Sequence, residues 1–226
     1  VPAVAALLKD ENPYIAARAT WLLAQMGEAR IAKVTPLLES KDDAVRLVAY
    51  RALRRANHDA LTMAAKMVSD KSAAVRREVA LTLRDAPSEK SIPLLVKIAQ
   101  QFDGKDRAYL EAFGLGSSGK EKEVYAAVSK SMGGDAEKWS DAFAWIAWRL
   151  HPAEAVHDLK TRALSATLND DQRKLMLTAL GLVKSREAAG AMIEIANTKD
   201  FPMKDLAKWW LFNRKGNDWM HYDVDG

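Results

Sequence analysis

Apolar residues recur along the chain at one spacing: Ile15, Ala19 and Leu23, then Val45, Ala49 and Leu53, then Val75, Val79 and Leu83 stand at i, i+4 and i+8. That spacing puts each triplet on one face of a helix and predicts that the face is core. Each triplet lies in a longer repeated stretch, Asn12 to Leu23, Asp42 to Leu53 and Ser72 to Leu83, so the period is thirty residues. Before each copy comes a shorter apolar segment: Ala3 to Leu8, Ile31 to Leu38, Ala60 to Val68, then Ile92 to Ala99. A helix, a turn and a second helix repeated at such a period predict stacked units, each burying its apolar face against its neighbours.

Further along, the fourth unit is irregular. A helix starts between Asp103 and Arg107 and runs through Phe113, glycines at 114, 116 and 119 close it, and the repeat phase becomes ambiguous by a residue. Val124 to Val128 with Ala142, Ile146 and Leu150 make a fifth unit. Ala153 to Leu164 with Met176 and Leu180 make a sixth, and Ala188 to Ala196 with Met203, Ala207 and Leu211 a seventh. The predicted fold class is all-α, a right-handed α-solenoid (superhelix) of about seven helix pairs, read as one repeat domain over 1–226. Its repeats fall at about 1–28, 29–58, 59–89, 90–118, 119–151, 152–185 and 186–216, with a C-terminal cap or linker at 217–226. Within the cap, Trp219 and Tyr222 are expected to fold over the open end of the array, because a terminal repeat exposes an apolar flank. Absence of an initiator Met before Val1-Pro2 reads as a piece cut from a longer chain.

The turns carry their own signals. Asn12, Asp43 and Ser72 sit where a side-chain oxygen accepts from the first amides of a helix, and Pro13 suits the first turn. Arg46 and Arg76, each following the first core valine, are expected to reach acidic or carbonyl groups of an adjacent unit.

Composition changes this picture little. No apolar run approaches the roughly 18 residues of a membrane span, and the absence of cysteine removes disulfides, thiolate metal sites and cysteine nucleophiles. The net charge of +4 lies entirely in residues 1–90, with 15 Lys/Arg against 11 Asp/Glu; residues 91–226 hold 19 of each. Interleaved with acids, that excess is weak for phosphate binding, which wants a concentrated stripe. The alternative reading, a nucleic-acid-binding array, rests on Arg46, Arg51, Arg54, Arg55, Arg76, Arg77 and Arg84.

Candidate chemistry is sparse. Gly114 to Gly119 matches GxGxxG, and Gly114 to Glu121 imitates a phosphate loop except that Glu121 stands where a hydroxyl belongs. Both patterns need a preceding strand, and a helix precedes this one. His151 and His157 are six apart, a poor spacing for sharing a metal, and the pairs Asp42-Asp43 and Asp170-Asp171 fall at helix starts, where capping explains them. No catalytic residue, cofactor ligand or metal site is predicted, and the chain is read as not an enzyme. Aromatic placement is more informative: six residues on from the first core position of each second helix stand Trp21, Arg51, Leu81, Phe113, Trp148, Thr178 and Trp209. Packing between units is one explanation of that position. A partner-binding ridge of Trp21, Tyr50, Arg51, Arg54, Trp148 and Trp209 is the other, since Trp, Tyr and Arg concentrate binding energy. Protein, or neighbouring domains of the same chain, is the partner that such a ridge would take.

The D-x-x-V-R-x-x-A-x-x-A-L signature of these helix pairs resembles HEAT repeats of the short bilin-lyase-like class along essentially the whole chain. That class also includes a lyase-like enzyme of the bilin-attachment type, although no residue beyond the repeat points to it. Three narrower stretches, Asp106 to Gly114, Trp148-Arg149 with Pro152-Ala153-Glu154-Ala155, and Lys208 to Trp219, are similar to the HEAT segment of large bacterial proteins described as putative membrane-bound dehydrogenases. This similarity covers residues 100–226. It implies a non-catalytic spacer between a sugar-dehydrogenase-like β-propeller and a c-type haem domain, in a periplasmic or otherwise extracytoplasmic location. The family's propeller residues and CxxCH have no counterpart here.

Overall fold

The computed structural model describes residues 2–222, and residues 223–226 of the expected cap lie outside them. Among the described residues there is no strand, and the helices follow one another in pairs. Residues up to Ile98 form one compact unit and those from Ala99 a second. The first unit holds α1 (Pro2–Ala6), α2 (Pro13–Ala24), α3 (Glu28–Val34), α4 (Asp43–Arg55), α5 (Ala60–Met67), α6 (Ala73–Thr82) and most of α7 (Ser88–Gln100). The second holds α8 (Arg107–Gly116), α9 (Glu121–Met132), α10 (Asp141–Leu150), α11 (Val156–Leu164), α12 (Asp170–Leu182), α13 (Arg186–Asn197) and α14 (Lys204–Lys215). Each unit is a stretch of α-solenoid in which second helices pack on second helices, α2 on α4 on α6 and α8 on α10 on α12 on α14.

Sequence periodicity explains the core. Ala19, Leu23, Ala49, Leu53, Val75, Val79 and Leu83 are all buried, as are Met176, Leu180 and Ala207. Ile15 departs from the expected pattern and is 39% exposed, because no described helix packs on that side of the first pair. Its counterpart Val45 is half-buried and Val75 fully buried, so burial at this register rises as units flank it.

Within each compact unit, arginines brace the repeats. Arg46 is buried and donates from Nε and Nη2 to both carboxylate oxygens of Asp70 at 2.8 Å, and from Nη1 to the Ser40 carbonyl at 2.9 Å. Arg76 donates to the Asp70 carbonyl and Arg173 to that of Ser165, each within its own repeat, so where Arg46 reaches the adjacent repeat as expected, this bond of Arg76 closes the turn before its own helix. Two of the three caps differ from expectation. Asn12 caps α2, but α4 is capped by Asp42, whose Oδ1 accepts from Ala44 and Val45. Asp43 instead accepts from the Ser72 hydroxyl, which leaves Ser72 without a capping bond of its own.

The glycine motif straddles the end of a helix, with its first half inside α8 and Ser117 to Gly119 in the turn that follows. Gly114 and Gly116 lie inside α8, and a Cβ at Gly114 would stand 2.1 Å from Arg149 Cζ. The glycine is therefore the bed on which the Arg149 guanidinium lies, and Arg149 reaches across it to Glu111 at 2.9 Å. At the other end Trp219 is fully buried, its indole donates to the Val183 carbonyl at 2.9 Å, and Tyr222 donates to that of Lys184.

Candidate functional site

A groove of about 630 Å³ lies in the second unit among α8, α10, α11 and α12. Its walls follow from helical spacing. Asp141, Ala144, Trp145 and Trp148 present one face of α10, and Asp171, Gln172, Leu175 and Thr178 the facing side of α12. The two helices start side by side, since Gln172 Nε2 donates to Asp141 Oδ1 at 3.2 Å and Gln172 itself completes a capping box with Asn169.

At one end Trp145 and Trp148 meet edge to face with centroids 5.4 Å apart, and the Arg107 guanidinium sits 4.5 Å from the Trp148 ring. Glu111 fixes that guanidinium at 2.6 Å and also holds Arg149, so one carboxylate orients two arginines. The result is a half-buried aromatic platform with a cation across it, the composition that carries most binding energy at protein interfaces.

At the other end the lining includes Arg162, which is 0% exposed. Its Nη1 donates to the Ala136 carbonyl at 2.6 Å and its Cζ lies 5.5 Å from the Trp139 ring. Burial lowers its pKa, and the field of Asp141 only partly offsets this. His151, which ends α10 in a left-handed conformation, is likewise held below the usual histidine range, chiefly by burial. Among the described residues no group of His, Asp or Glu is arranged to hold a metal ion.

Of the six residues expected to form one ridge, four lie in the first unit and two in the second. Trp21, Arg51 and Arg54 line one shallow pocket of the first unit with Arg55 and Glu78. Glu78 is buried and pairs with Arg51 at 2.6 Å and Arg54 at 3.1 Å, which neutralises much of that patch. Tyr50 cannot belong to any surface: it is 0% exposed, bonded to the Thr82 hydroxyl at 2.9 Å, and burial pushes its pKa up to about 12. Trp148 lies in the groove of the second unit. Trp209 is 53% exposed and stacks edge to face on Trp210, outside the groove. Sequence reasoning missed Arg107, Trp145 and Arg162. Trp145 stands three residues before Trp148, a spacing that places both on one helix face, but Arg162 lies on a first helix and outside the register that was followed.

The stacking of these helix pairs, and the arginine ladder between them, agree with a known repeat. Residues 31–114 match the family model for HEAT repeats. The matched HEAT segment begins within α3 and ends within α8, taking in Arg107 and Glu111 of the groove. No curated protein matches the chain. HEAT repeats generally serve as protein-interaction scaffolds and are typically non-catalytic.

Proposed function

We propose that this chain is a non-catalytic interaction scaffold and that the groove along α10 and α12 is its docking site. The observation that carries this reading is the Trp145–Trp148–Arg107 platform, a large aromatic area held open by an ion pair and not closed over by the fold. The resemblance of residues 100–226 supports a narrower role, a spacer that holds a neighbouring oxidising domain and a haem domain of a longer, extracytoplasmic protein. Reading the flanking gene tests that role: a propeller upstream and CxxCH downstream are expected, and finding neither removes it.

The docking reading is tested separately, with a photo-crosslinking amino acid placed at Trp148 or, as control, at the exposed Lys122 of α9, in cells that make the whole protein. A partner band specific to position 148 is expected. Equal crosslinking from both positions, or none, refutes the groove as docking site. A second reading, nucleic-acid binding by the first three repeats, draws on Trp21 as a stacking ring beside Arg55, since Arg51 and Arg54 are paired with Glu78 and Arg46 is buried on Asp70. Its measurement is DNA binding at low salt, and an absence of binding there ends it.

A further inference from the structure

In the first unit, one side of each second helix faces the second helix before it. Tyr50 of α4 meets the Thr82 hydroxyl of α6 at 2.9 Å, and Arg51 and Arg54 of α4 pair with Glu78 of α6. Glu78 and Thr82 stand four apart, so with Ala74 they form the backward-facing stripe of α6. One period earlier the same stripe is Ala44, Val48 and Ala52 on α4, and two periods earlier it is Tyr14, Arg18 and Leu22 on α2. On α4 Ala52 is fully buried, whereas on α2 Tyr14 is 79% and Leu22 55% exposed.

Residue size along the stripe bears on what covers it. Interior repeats carry alanine at its first position and alanine or threonine at its third, which lets neighbouring helices close on one another. Tyr14 and Leu22 overfill those positions, so the stripe on α2 is built for a different contact from the one that stacks α4 and α6. Among the described residues, six of the ten large apolar side chains that stand exposed lie between Leu7 and Met26. Their open area is on the order of 500 Å², at the upper end of what a monomer leaves uncovered. With a polar rim it approaches the roughly 800 Å² that each partner of a stable dimer contributes. Arg18, exposed in the middle of the stripe, has no partner among the described residues.

We propose that a second copy of this chain covers the stripe, the two α2 helices packing antiparallel about a two-fold axis. A dyad through Arg18 would oppose like charges. With the dyad between Tyr14 and Arg18, each guanidinium lies on the Tyr14 ring of the other copy, a cation–ring contact made twice. Such an isologous contact closes on itself, so assembly stops at the dimer. One cation on an apolar stripe offers little to a polyanion. The surface involves other helices than the groove of α10 and α12, and the two readings stand or fall separately.

Sedimentation velocity of the whole chain between about 1 and 200 μM is the test, a range that spans the constants open to a contact of this size. Conversion from monomer to dimer with rising concentration is expected. Leu22→Glu should weaken the dimer at least about tenfold, because a carboxylate is then buried without a partner. Arg18→Glu should weaken it about tenfold through loss of two cation–ring contacts, and Arg18→Lys should stay within about threefold of the parent. Phe212→Ser, at the 72% exposed ring of α14, should leave the dimer unchanged. All three positions are exposed, so circular dichroism midpoints should stay at the parent value, and a lost dimer is then not a lost fold. A photo-crosslinking residue at Leu22, in cells that make the whole protein, should give a band at twice the mass of that protein.

A chain that stays monomeric at about 200 μM overturns the inference. So does a dimer indifferent to Leu22→Glu, or one that Phe212→Ser breaks. Assembly beyond the dimer removes the two-fold, and an Arg18→Glu chain that dimerises as before removes the pairing of Arg18 with Tyr14. Crosslinks from Leu22 that stay within one chain, or that capture only a different protein, assign the stripe to another occupant and overturn the dimer as well.

Discussion

Replacing Asp70 by Asn tests whether the ion pair between neighbouring repeats carries stability. In the folded chain the Arg46 and Asp70 side chains are 5% and 8% exposed and joined by two bonds of 2.8 Å. A fork of this kind places the charge centres about 4 Å apart, which gives an attraction of about 4 kcal/mol at an effective dielectric of 20. Removing one partner of a buried pair costs about 3–5 kcal/mol, because the other charge stays buried and uncompensated. Asp70→Asn should therefore lower the midpoint of residues up to Ile98 by on the order of 15 °C if they melt as their own unit. Adding Arg46→Met should restore a good part of the loss, since no charge is then stranded. Circular dichroism melts, with hydrogen exchange to confirm that α4 and α6 open first, provide the measurement. The exposed Lys66–Glu39 pair, at 53% and 68% exposure, is the control: Lys66→Ala should produce no measurable shift.

The pH dependence has a fixed sign. Burial raises the Asp70 pKa, but the bonds from Arg46 and the Ser72 amide outweigh it, and the net direction is below the ordinary value of 3.8. A carboxyl depressed on folding contributes stability above its unfolded pKa and loses it as pH falls through the folded one. The gap between the parent and Asp70→Asn should be full at neutral pH and close only below about pH 3.8. A gap no larger than that of Lys66→Ala, or one unchanged at low pH, would refute the reasoning.

Three further outcomes follow from close contacts. Gly114→Ala should destabilise by about 1–3 kcal/mol through displacement of Arg149, although alanine is favoured in helices by about 1 kcal/mol; in an Arg149→Ala background the same change should become stabilising, and paired melts read both. Gly181→Ala should cost more than Gly114→Ala, because its Cβ would stand 2.4 Å from the rigid Trp210 ring and not from the end of a flexible chain. Trp219→Ala should cost about 3–5 kcal/mol and speed hydrogen exchange around Val183, whose carbonyl loses the indole.

Fold class and register were legible because they depend on spacing alone: Val75, Val79 and Leu83 are buried as their i, i+4, i+8 pattern requires. Neighbour-dependent features were not. Ile15 has the same pattern and is exposed, and Tyr50 was placed on a surface although it points to Thr82 of the next second helix. The repeated aromatic position meets different surroundings for the same reason: Trp21 shares its register with Trp148 but lies with Arg51 and Arg54 in one unit, and Trp148 with Arg107 in the other. Repeat position fixes the angle at which a side chain leaves its helix. What it meets is fixed by residues some thirty or forty positions away, as Glu111 and Arg149 show for the platform.

Arg46 and Arg162 are 4% and 0% exposed, and both brace a turn through a carbonyl. Arg46 has its remaining donors filled by a carboxylate of the next repeat, so its burial is explained by folding alone. Arg162 has no carboxylate on its remaining donors, so a methionine there removes an uncompensated buried charge at the cost of one bond to the Ala136 carbonyl. The Arg162 Nε and Nη2 lie closed to solvent beside a second unfilled donor, Trp139 Nε1, so little offsets the cost of burying that charge. The melt of Arg162→Met therefore separates the two kinds of arginine: a loss comparable to that of Asp70→Asn puts Arg162 with Arg46 as a brace of the fold, and an unchanged or raised midpoint shows that its charge is uncompensated there.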